Sequence, residues 1–190
     1  MADDTGNQLS RPAEIFWLTG MSGVGKTTLA ESVQQRLEAA GYRVMSIDGD
    51  SVRRTTSRDL GFSKADILEN NARIVEACAG QRTNADVILV PVIAPYESSR
   101  DAARRSLAPG FSEIYVSAPL TVLRDRDVKG LYAREARGEI DNLIGVSPTS
   151  PYEAPKSPDL HIDTAGEEQE TSIERLHSFI LSRLETENDI

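Results

Sequence analysis

Nine consecutive residues near the start of the chain combine three glycines with a lysine and two threonines. They are Gly20, Met21, Ser22, Gly23, Val24, Gly25, Lys26, Thr27 and Thr28, in the pattern G-x-x-x-x-G-K-T. Glycines at these positions leave backbone N–H groups free to surround phosphate oxygens. Lys26 would reach the β- and γ-phosphates of a nucleotide, and the hydroxyl of Thr27 would ligate Mg²⁺. The pattern therefore predicts a phosphate-binding loop.

The flanks of this loop decide between a ligand site and a plain glycine-rich turn. The apolar run from Ile15 to Leu18 precedes the loop and is typical of a buried strand. Leu29, Val33 and Leu37 follow it at a spacing of four, which predicts a helix from Leu29 to Ala40. Such a helix directs its positive end at a bound anion. Strand, loop and helix together predict that this protein binds ATP or another nucleoside triphosphate.

A second group of polar residues follows the next predicted strand. Asp48, Asp50 and Arg53 leave the carboxyl end of that strand, where ligands of open parallel sheets bind. A carboxylate there could hold Mg²⁺ through water, or accept a proton from an attacking hydroxyl group. The same Asp-Gly-Asp run is equally typical of a turn without a ligand. The residue types alone leave these two interpretations open.

Composition argues against several other classes of protein. The net charge of the 190 residues is −9, and residues 167–190 hold −5 of it, so a basic surface for nucleic acid is not expected. No apolar run approaches the length of a membrane span. Cys78 is the one cysteine, which excludes an internal disulfide, and the polar first residues resemble neither a signal nor a transit peptide. We predict a soluble cytoplasmic protein without nucleic-acid or membrane partners.

Alternating strand and helix patterns predict an α/β fold. The five predicted strands lie at 15–19, 44–47, 87–93, 113–116 and 160–163, and the main helices start near 29, 64, 97, 120 and 167. Pro91 within the third strand predicts a bulge or an early end. Strands separated by helices pair in parallel, so we expect one domain over residues 14–190, built on a parallel sheet. Residues 1–13 are expected to form a flexible tail.

Several longer motifs, in order from Ile15 to Thr164, resemble the adenosine 5′-phosphosulfate (APS) kinase family. They are residues 48–53 (DGDSVR) and 58–63 (RDLGFS), Asp66, Glu69, Asn70 and Arg73, residues 93–96 (IAPY) with Arg100, and residues 127–132 (DVKGLY), 138–140 (GEI) and 150–155 (SPYEAP). The resemblance implies a P-loop kinase fold, with a five-stranded parallel sheet and helices on both faces. It also implies a homodimer that transfers the γ-phosphoryl group of ATP to the 3′-hydroxyl of APS, with Mg²⁺.

The resemblance further assigns roles to single residues. Lys26, Asp50 and Lys129 would be catalytic, with Asp50 orienting or deprotonating the acceptor hydroxyl and Lys129 closing over the phosphates from a mobile lid at about 126–146. Thr27 and Asp50 would hold Mg²⁺. Arg126 would contact the ATP base, although a surface arginine paired with a neighbouring acid fits as well. The acceptor would be bound by Asp48, Asp50, Arg53, Phe62, Asn70, Arg73, Ile93, Lys129, Gly130, Leu131 and Leu143.

Two departures from the family pattern concern the acceptor. Ile67 stands where the family usually has an arginine that binds the acceptor's phosphosulfate, although on its helix it shares a face with Ile74 and Cys78. Leu143 stands where a phenylalanine usually stacks on the acceptor adenine, and losing one side of such a stack costs ~1–3 kcal/mol. Three hypotheses remain: an APS kinase, a relative that phosphorylates a different nucleotide conjugate or anionic metabolite, and a nucleotide-dependent switch without kinase activity.

Overall fold

The centre of the molecule is a five-stranded sheet in which all neighbouring strands are parallel. The computed structural model describes residues 11–186 of the chain. The strands are β1 (Glu14–Thr19), β2 (Val44–Ser46), β3 (Val87–Pro91), β4 (Phe111–Ser117) and β5 (Leu160–Asp163). Their order across the sheet is β2-β3-β1-β4-β5. β1 is therefore the central strand, and the residues that follow it leave from the middle of the sheet.

Helices cover both faces of this sheet. They are α1 (Lys26–Ala39), α2 (Gly49–Arg54), α3 (Lys64–Gln81), α4 (Glu97–Leu107), α5 (Leu120–Arg126), α6 (Leu131–Ala136) and α7 (Gln169–Thr186). Apolar side chains of α1 and α7 pack on one face of the sheet, and those of α3 and α4 pack on the other. The chain thus forms a three-layer α/β structure, as the sequence predicts.

The central strand β1 contributes side chains to the hydrophobic cores on both faces of the sheet. Phe16 and Leu18 point to the face covered by α1 and α7, while Ile15 and Trp17 point to the face covered by α3 and α4. Successive side chains of a strand alternate between its faces, so a strand buried on both sides reads as a continuous apolar run. All four side chains are fully buried. This burial anchors the strand that leads into the glycine loop.

All five predicted strands are present, and their ends differ from the predictions by a few residues. β3 ends at Pro91 and not at Ile93, because proline has no N–H to offer a continuing ladder. α1 begins at Lys26, three residues before the first predicted helical residue. The sequence did not predict the short helices α2 and α6. The Asp-Gly-Asp run begins α2, with Asp48 as its N-cap residue.

The predicted tail is shorter than expected where the structure describes it. Ala13 is buried, and its N–H donates to the carbonyl of Arg82 at 2.7 Å, so it belongs to the packed domain. Residues 1–10 of that predicted tail lie outside the described residues, as do residues 187–190. Among residues 11–186, the helices are all too short or too polar to cross a bilayer.

Candidate active site

The glycine loop lies between β1 and α1, and two of its glycines have backbone shapes that other residues rarely adopt. Gly20 has a φ of 157°, and a Cβ added there would lie 2.1 Å from the carbonyl oxygen of Val116. Gly25, with a φ of 96°, precedes the first turn of α1 as its N-cap residue. A side chain at either position would strain or displace the backbone. The glycines therefore allow the backbone of the loop to approach an anion closely at the N-terminus of α1, a 14-residue helix.

Lys26 is folded back onto this loop. Its Nζ donates to the carbonyls of Gly20 at 2.8 Å and Met21 at 2.9 Å. Burial and, to a smaller extent, the nearby ammonium of Lys129 together lower the pKa of Lys26 to about 7, against the opposing effect of the Asp50 and Asp48 carboxylates. An anionic phosphate would stabilise the charged form of this lysine far better than two carbonyl dipoles do.

Thr27 contacts the carboxylate that begins α2. Its hydroxyl donates to Oδ2 of Asp48 at 3.2 Å, while Oδ1 of Asp48 accepts from the N–H of Ser51 at 2.9 Å. Hydroxyl and carboxylate oxygens are the ligands that Mg²⁺ prefers, usually beside substrate phosphates and waters. Residues 11–186 contain no cluster of three or more carboxylate, histidine or cysteine side chains that could hold a metal alone. The oxygens present fit Mg²⁺ that is shared with a nucleotide.

The structure brings Asp50 and Lys129 together from distant parts of the chain. Lys129, in the turn between α5 and α6, forms an ion pair with Oδ2 of Asp50 in the first turn of α2. Partial burial acts to raise the pKa of Asp50, but the ammonium of Lys129, with Lys26 and Arg54 further away, outweighs it, so the pKa lies below its ordinary value. Asp50 is therefore ionised at neutral pH and able to accept a proton.

The predicted lid segment is hydrogen-bonded to the glycine loop. The hydroxyl of Tyr132 in α6 donates to the carbonyl of Ser22 at 2.7 Å. Both oxygens of Asp127 accept from N–H groups in the first turn of α6, and Gly130 precedes that helix with a φ of 64°. Leu131 is half-buried against the core on the α1 face. The motif containing Lys129 is thus a compact turn held beside the phosphate loop.

Arg126 is held by Thr164 and not by the neighbouring acid that the sequence suggested as one of its two partners. Its guanidinium donates to the hydroxyl of Thr164 at 3.0 Å and to the carbonyl of Thr164 at 2.6 Å. The Thr164 hydroxyl in turn donates to the carbonyl of Val24 in the glycine loop at 3.0 Å. A neighbouring acid is therefore not its partner. Arg126 is thus linked to the phosphate loop through Thr164. Its contact with the ATP base stays a prediction.

On the acceptor side, Arg53 and Phe62 form an exposed surface. The guanidinium carbon of Arg53 lies 4.7 Å from the centre of the Phe62 ring, and its Nη1 donates to the carbonyl of Gly61 at 2.7 Å. Phe62 is 57% exposed, which is unusual for a large apolar side chain. Ile93, half-buried, accepts from the hydroxyl of Thr19 at 2.6 Å through its carbonyl. An aromatic ring beside a cation suits a planar anionic ligand.

Two predicted acceptor residues on α3 have different surroundings. Arg73 donates twice to Asp59, at 2.7 and 2.8 Å, once to Glu69 at 2.9 Å and once to the carbonyl of Thr56 at 2.9 Å. These hydrogen bonds raise the pKa of Arg73, and they connect α3 to the loop that precedes it. Asn70 is buried, and its Oδ1 has no hydrogen-bond partner within residues 11–186.

The two residues that depart from the family pattern are both packed. Ile67 is 3% exposed on α3, in line with its predicted shared face with Ile74 and Cys78. Leu143 is 8% exposed and belongs to the core on the α1 face, together with Tyr132. Leu143 was predicted to bind the acceptor, and this structure does not present it on an open surface. The chain after the lid folds inward there, where an apolar side chain gains by burial.

Sequence reasoning missed the part of Arg100 in shaping the site. Arg100 is 3% exposed, pairs with Glu113 of β4 at 2.7 Å, and donates to the carbonyls of Ala94 at 2.9 Å and Glu153 at 2.7 Å. It therefore fixes the backbone that follows β3, next to Ile93. The available signal was Glu113, the one charged residue of β4, since a buried charge requires a partner.

Comparisons with known proteins agree with this geometry. The family model described as adenylylsulphate kinase matches residues 12–163. The adenylyl-sulfate kinase of Halothermothrix orenii (strain H 168 / OCM 544 / DSM 9562) is 46% identical over 165 residues, which cover 86% of this chain and 87% of that protein. The bifunctional enzyme NodQ of Rhizobium sp. (strain N33) is 41% identical over 174 residues, 91% of this chain, so the chain spans 26% of that relative's length.

A solved structure of an APS kinase is also similar to this chain. The structure of the Mycobacterium tuberculosis APS kinase CysC in complex with AMPPNP and APS has a TM-score of 0.83 and 33% sequence identity. The match covers 89% of this chain and 98% of that chain. The similarity thus extends over most of both chains.

Proposed function

The chain belongs to the adenylylsulphate kinase family, and we propose on that basis that it transfers the γ-phosphoryl group of ATP to the 3′-hydroxyl of APS. The product is 3′-phosphoadenosine 5′-phosphosulfate, an activated sulfate donor, which points to a role in sulfate assimilation. One observation carries the proposal beyond family membership. An ionised carboxylate, Asp50, lies in contact with the lid cation Lys129 beside a complete phosphate loop.

ATP binding is assigned to the glycine loop and Lys26. The N–H groups of residues 20–28 surround the phosphates, and Lys26 exchanges the carbonyls of Gly20 and Met21 for the β- and γ-phosphate oxygens. Thr27, with Asp48 or Asp50, would hold Mg²⁺, which neutralises charge on the transferred phosphoryl group when bound. Arg126 lies on the same side of the loop through Thr164, where the nucleotide base is expected.

Phosphoryl transfer requires a positioned and activated acceptor hydroxyl. Asp50 accepts the proton of the 3′-hydroxyl while the acceptor oxygen bonds to the γ-phosphorus. The bond between that phosphorus and the β,γ-bridging oxygen breaks in the same process, and ADP leaves. Lys129 moves from Asp50 to the phosphates as the lid, residues 126–146, closes and excludes water. Both side chains of the pair between Lys129 and Asp50 are about half exposed, so the free energy lost when Lys129 leaves Asp50 is small.

The acceptor is assigned to the surface around Arg53. Its guanidinium would bind the anionic 5′ group, Phe62 would stack on the adenine, and the free Oδ1 of Asn70 would accept a hydrogen bond from the ligand. Gly130, Leu131 and Ile93 would line the opposite walls. A direct contact from Arg73 would require it to leave Asp59 and Glu69. The homodimer and the cytoplasmic location remain proposals from the resemblance, and light scattering during size-exclusion chromatography tests the first.

The direct test is ATP consumption by the purified protein with Mg²⁺, with and without APS, while the 3′-phosphorylated product is measured. Turnover that depends on APS supports the proposal, and Lys26→Ala should abolish it. Slow ATP hydrolysis that is indifferent to APS would instead favour the second candidate, a kinase for a different anionic nucleotide conjugate. The observation behind that candidate is the uncharged, buried Ile67 on the acceptor side.

A further inference from the structure

Lys64 is an exposed cation at the start of α3, two residues after Phe62. Its Nζ lies 4.8 Å from the centre of the Tyr96 ring. Tyr96 is 4% exposed and is the N-cap residue of α4, three residues after Ile93, so its buried ring holds the lysine stem near that predicted acceptor residue. Lys64 thus places a positive charge two residues along the chain from Phe62, the ring that packs against the guanidinium of Arg53.

Several other charged residues of the predicted acceptor site already have charged partners. Arg73 is held by two carboxylates, and Asp50 pairs with Lys129. Asp66, the acid nearest along α3, accepts from the N–H and the hydroxyl of Ser63 in a capping box. Within residues 11–186, Lys64 forms no ion pair with a carboxylate, and its ammonium lies over the aromatic face of Tyr96. It is therefore a cation available to an incoming anion.

Helix geometry relates Lys64 to the most unusual residue of the acceptor side. Lys64 and Ile67 are three positions apart on α3, so they are neighbours across one turn, with Lys64 exposed and Ile67 on the buried side. Ile67 is buried and offers neither charge nor a hydrogen-bond donor. Lysine carries its ammonium on a long flexible stem, which lets the charge reach along the helix surface. The ammonium of Lys64 therefore provides, in the first turn of α3, a positive charge that Ile67 does not provide.

We propose that Lys64 is a specificity-determining residue that binds the anionic 5′ group of the acceptor together with Arg53. The inference rests on the proposed function, since it concerns the same acceptor. The exposed cation–π contact with Tyr96 is weak enough to be exchanged for a charge-assisted contact with phosphate or sulfate oxygens. Lys64 takes no part in the transfer of the phosphoryl group, so its removal should affect acceptor binding and leave the chemical step intact.

The experiment is steady-state kinetics of the full chain with APS and ATP for wild type, Lys64→Met, Lys64→Arg and Lys156→Met. Lys64→Met keeps the aliphatic stem over Tyr96 and removes the charge, and Lys156, 79% exposed and paired with Glu97, is the matched control. We expect the KM for APS to rise about 5- to 30-fold in Lys64→Met, with kcat and the KM for ATP within about twofold of wild type. Lys64→Arg and Lys156→Met should stay within about threefold.

Salt dependence separates a charge contact from a purely structural effect. The KM for APS should rise more steeply with KCl in wild type than in Lys64→Met, because the variant has lost one screened interaction. An unchanged KM for APS in Lys64→Met, in a wild type that turns over APS, would overturn the role of Lys64 and leave the proposed function standing. A wild type without APS-dependent turnover would overturn both.

Discussion

Lys129 and Asp50 form an ion pair across 79 positions of the chain, and this contact joins the predicted lid to the edge of the sheet. The two side chains are 52% and 47% exposed, so the pair is worth less than about 1 kcal/mol in water. A weak contact suits the proposed movement of Lys129 from Asp50 to the phosphates. It also keeps Asp50 ionised, since the pKa of that carboxyl lies below its ordinary value despite partial burial.

The first prediction concerns this pair. Asp50→Asn should lower kcat by about 10²- to 10⁴-fold, because an amide cannot accept the acceptor's proton, while the KM for ATP should change by less than about threefold. Lys129→Met should lower kcat as well, and the double variant should lose less than the product of the single losses, since both act on one step. Steady-state kinetics with APS measures all three variants. Equal losses in kcat and in ATP affinity for Asp50→Asn would instead indicate a structural or metal-holding role.

A second prediction follows from the buried pair of Arg100 and Glu113. Arg100→Met should lower the free energy of unfolding by about 3 kcal/mol, because it removes the donor that serves a buried carboxyl, the buried carbonyl of Ala94 and the partly buried carbonyl of Glu153. Urea denaturation measures this loss. Arg104→Met is the matched control, because Arg104 lies 3.7 Å from the same carboxylate and is 40% exposed, so its loss should cost less than about 1 kcal/mol. Equal losses in the two variants would contradict the importance assigned to burial.

The sequence was sufficient for the features that depend on short runs of residues. The phosphate loop and the five strands follow from local patterns, because a buried strand and a glycine loop are each encoded in fewer than about ten consecutive residues. The helices α2 and α6 were missed, since six residues are too few to show a helical period. α2 is instead specified by its cap, in which Asp48 accepts from the N–H of Ser51.

Side-chain partners at the site could not be predicted because they come from distant positions. Arg73 is held by Asp59, 14 residues earlier, and Arg126 by Thr164, 38 residues later. No spacing rule links such pairs, since only the folded loops bring them together. The same holds for Leu143, whose burial depends on how the chain after the lid returns to the core.

A third prediction addresses Ile67. Ile67→Arg should lower the free energy of unfolding by about 2–4 kcal/mol, because it forces a guanidinium into a buried position of α3. Thermal unfolding measures this change, and Ala72→Arg, at an exposed position of the same helix, should stay within about 0.5 kcal/mol of wild type. We expect no gain in kcat/KM for APS from Ile67→Arg. A stable variant with faster APS turnover would show that the acceptor pocket has drifted from APS at this position.

The last prediction uses Cys78, which is fully buried in the core between α3 and the sheet. Burial raises the pKa of its thiol to about 12, against an ordinary value near 9, so at every pH below 12 the native protein holds less thiolate than an exposed cysteine would. Because the thiolate is the reacting form, iodoacetamide at pH 8 should label the native protein at least about 100-fold more slowly than the protein in urea.

Mass spectrometry of timed samples measures this labelling, with Cys78→Ala as the control for reaction at other residues. The labelling rate should rise as urea approaches the unfolding transition, because exposure of the thiol requires loss of the packing around Ile74 and Trp17. Raising the pH from 8 to 9 should increase the rate in urea by less than tenfold, since a thiol with an ordinary pKa is already partly ionised there. Rapid labelling of the native protein at pH 8 would contradict the burial of Cys78 in this core.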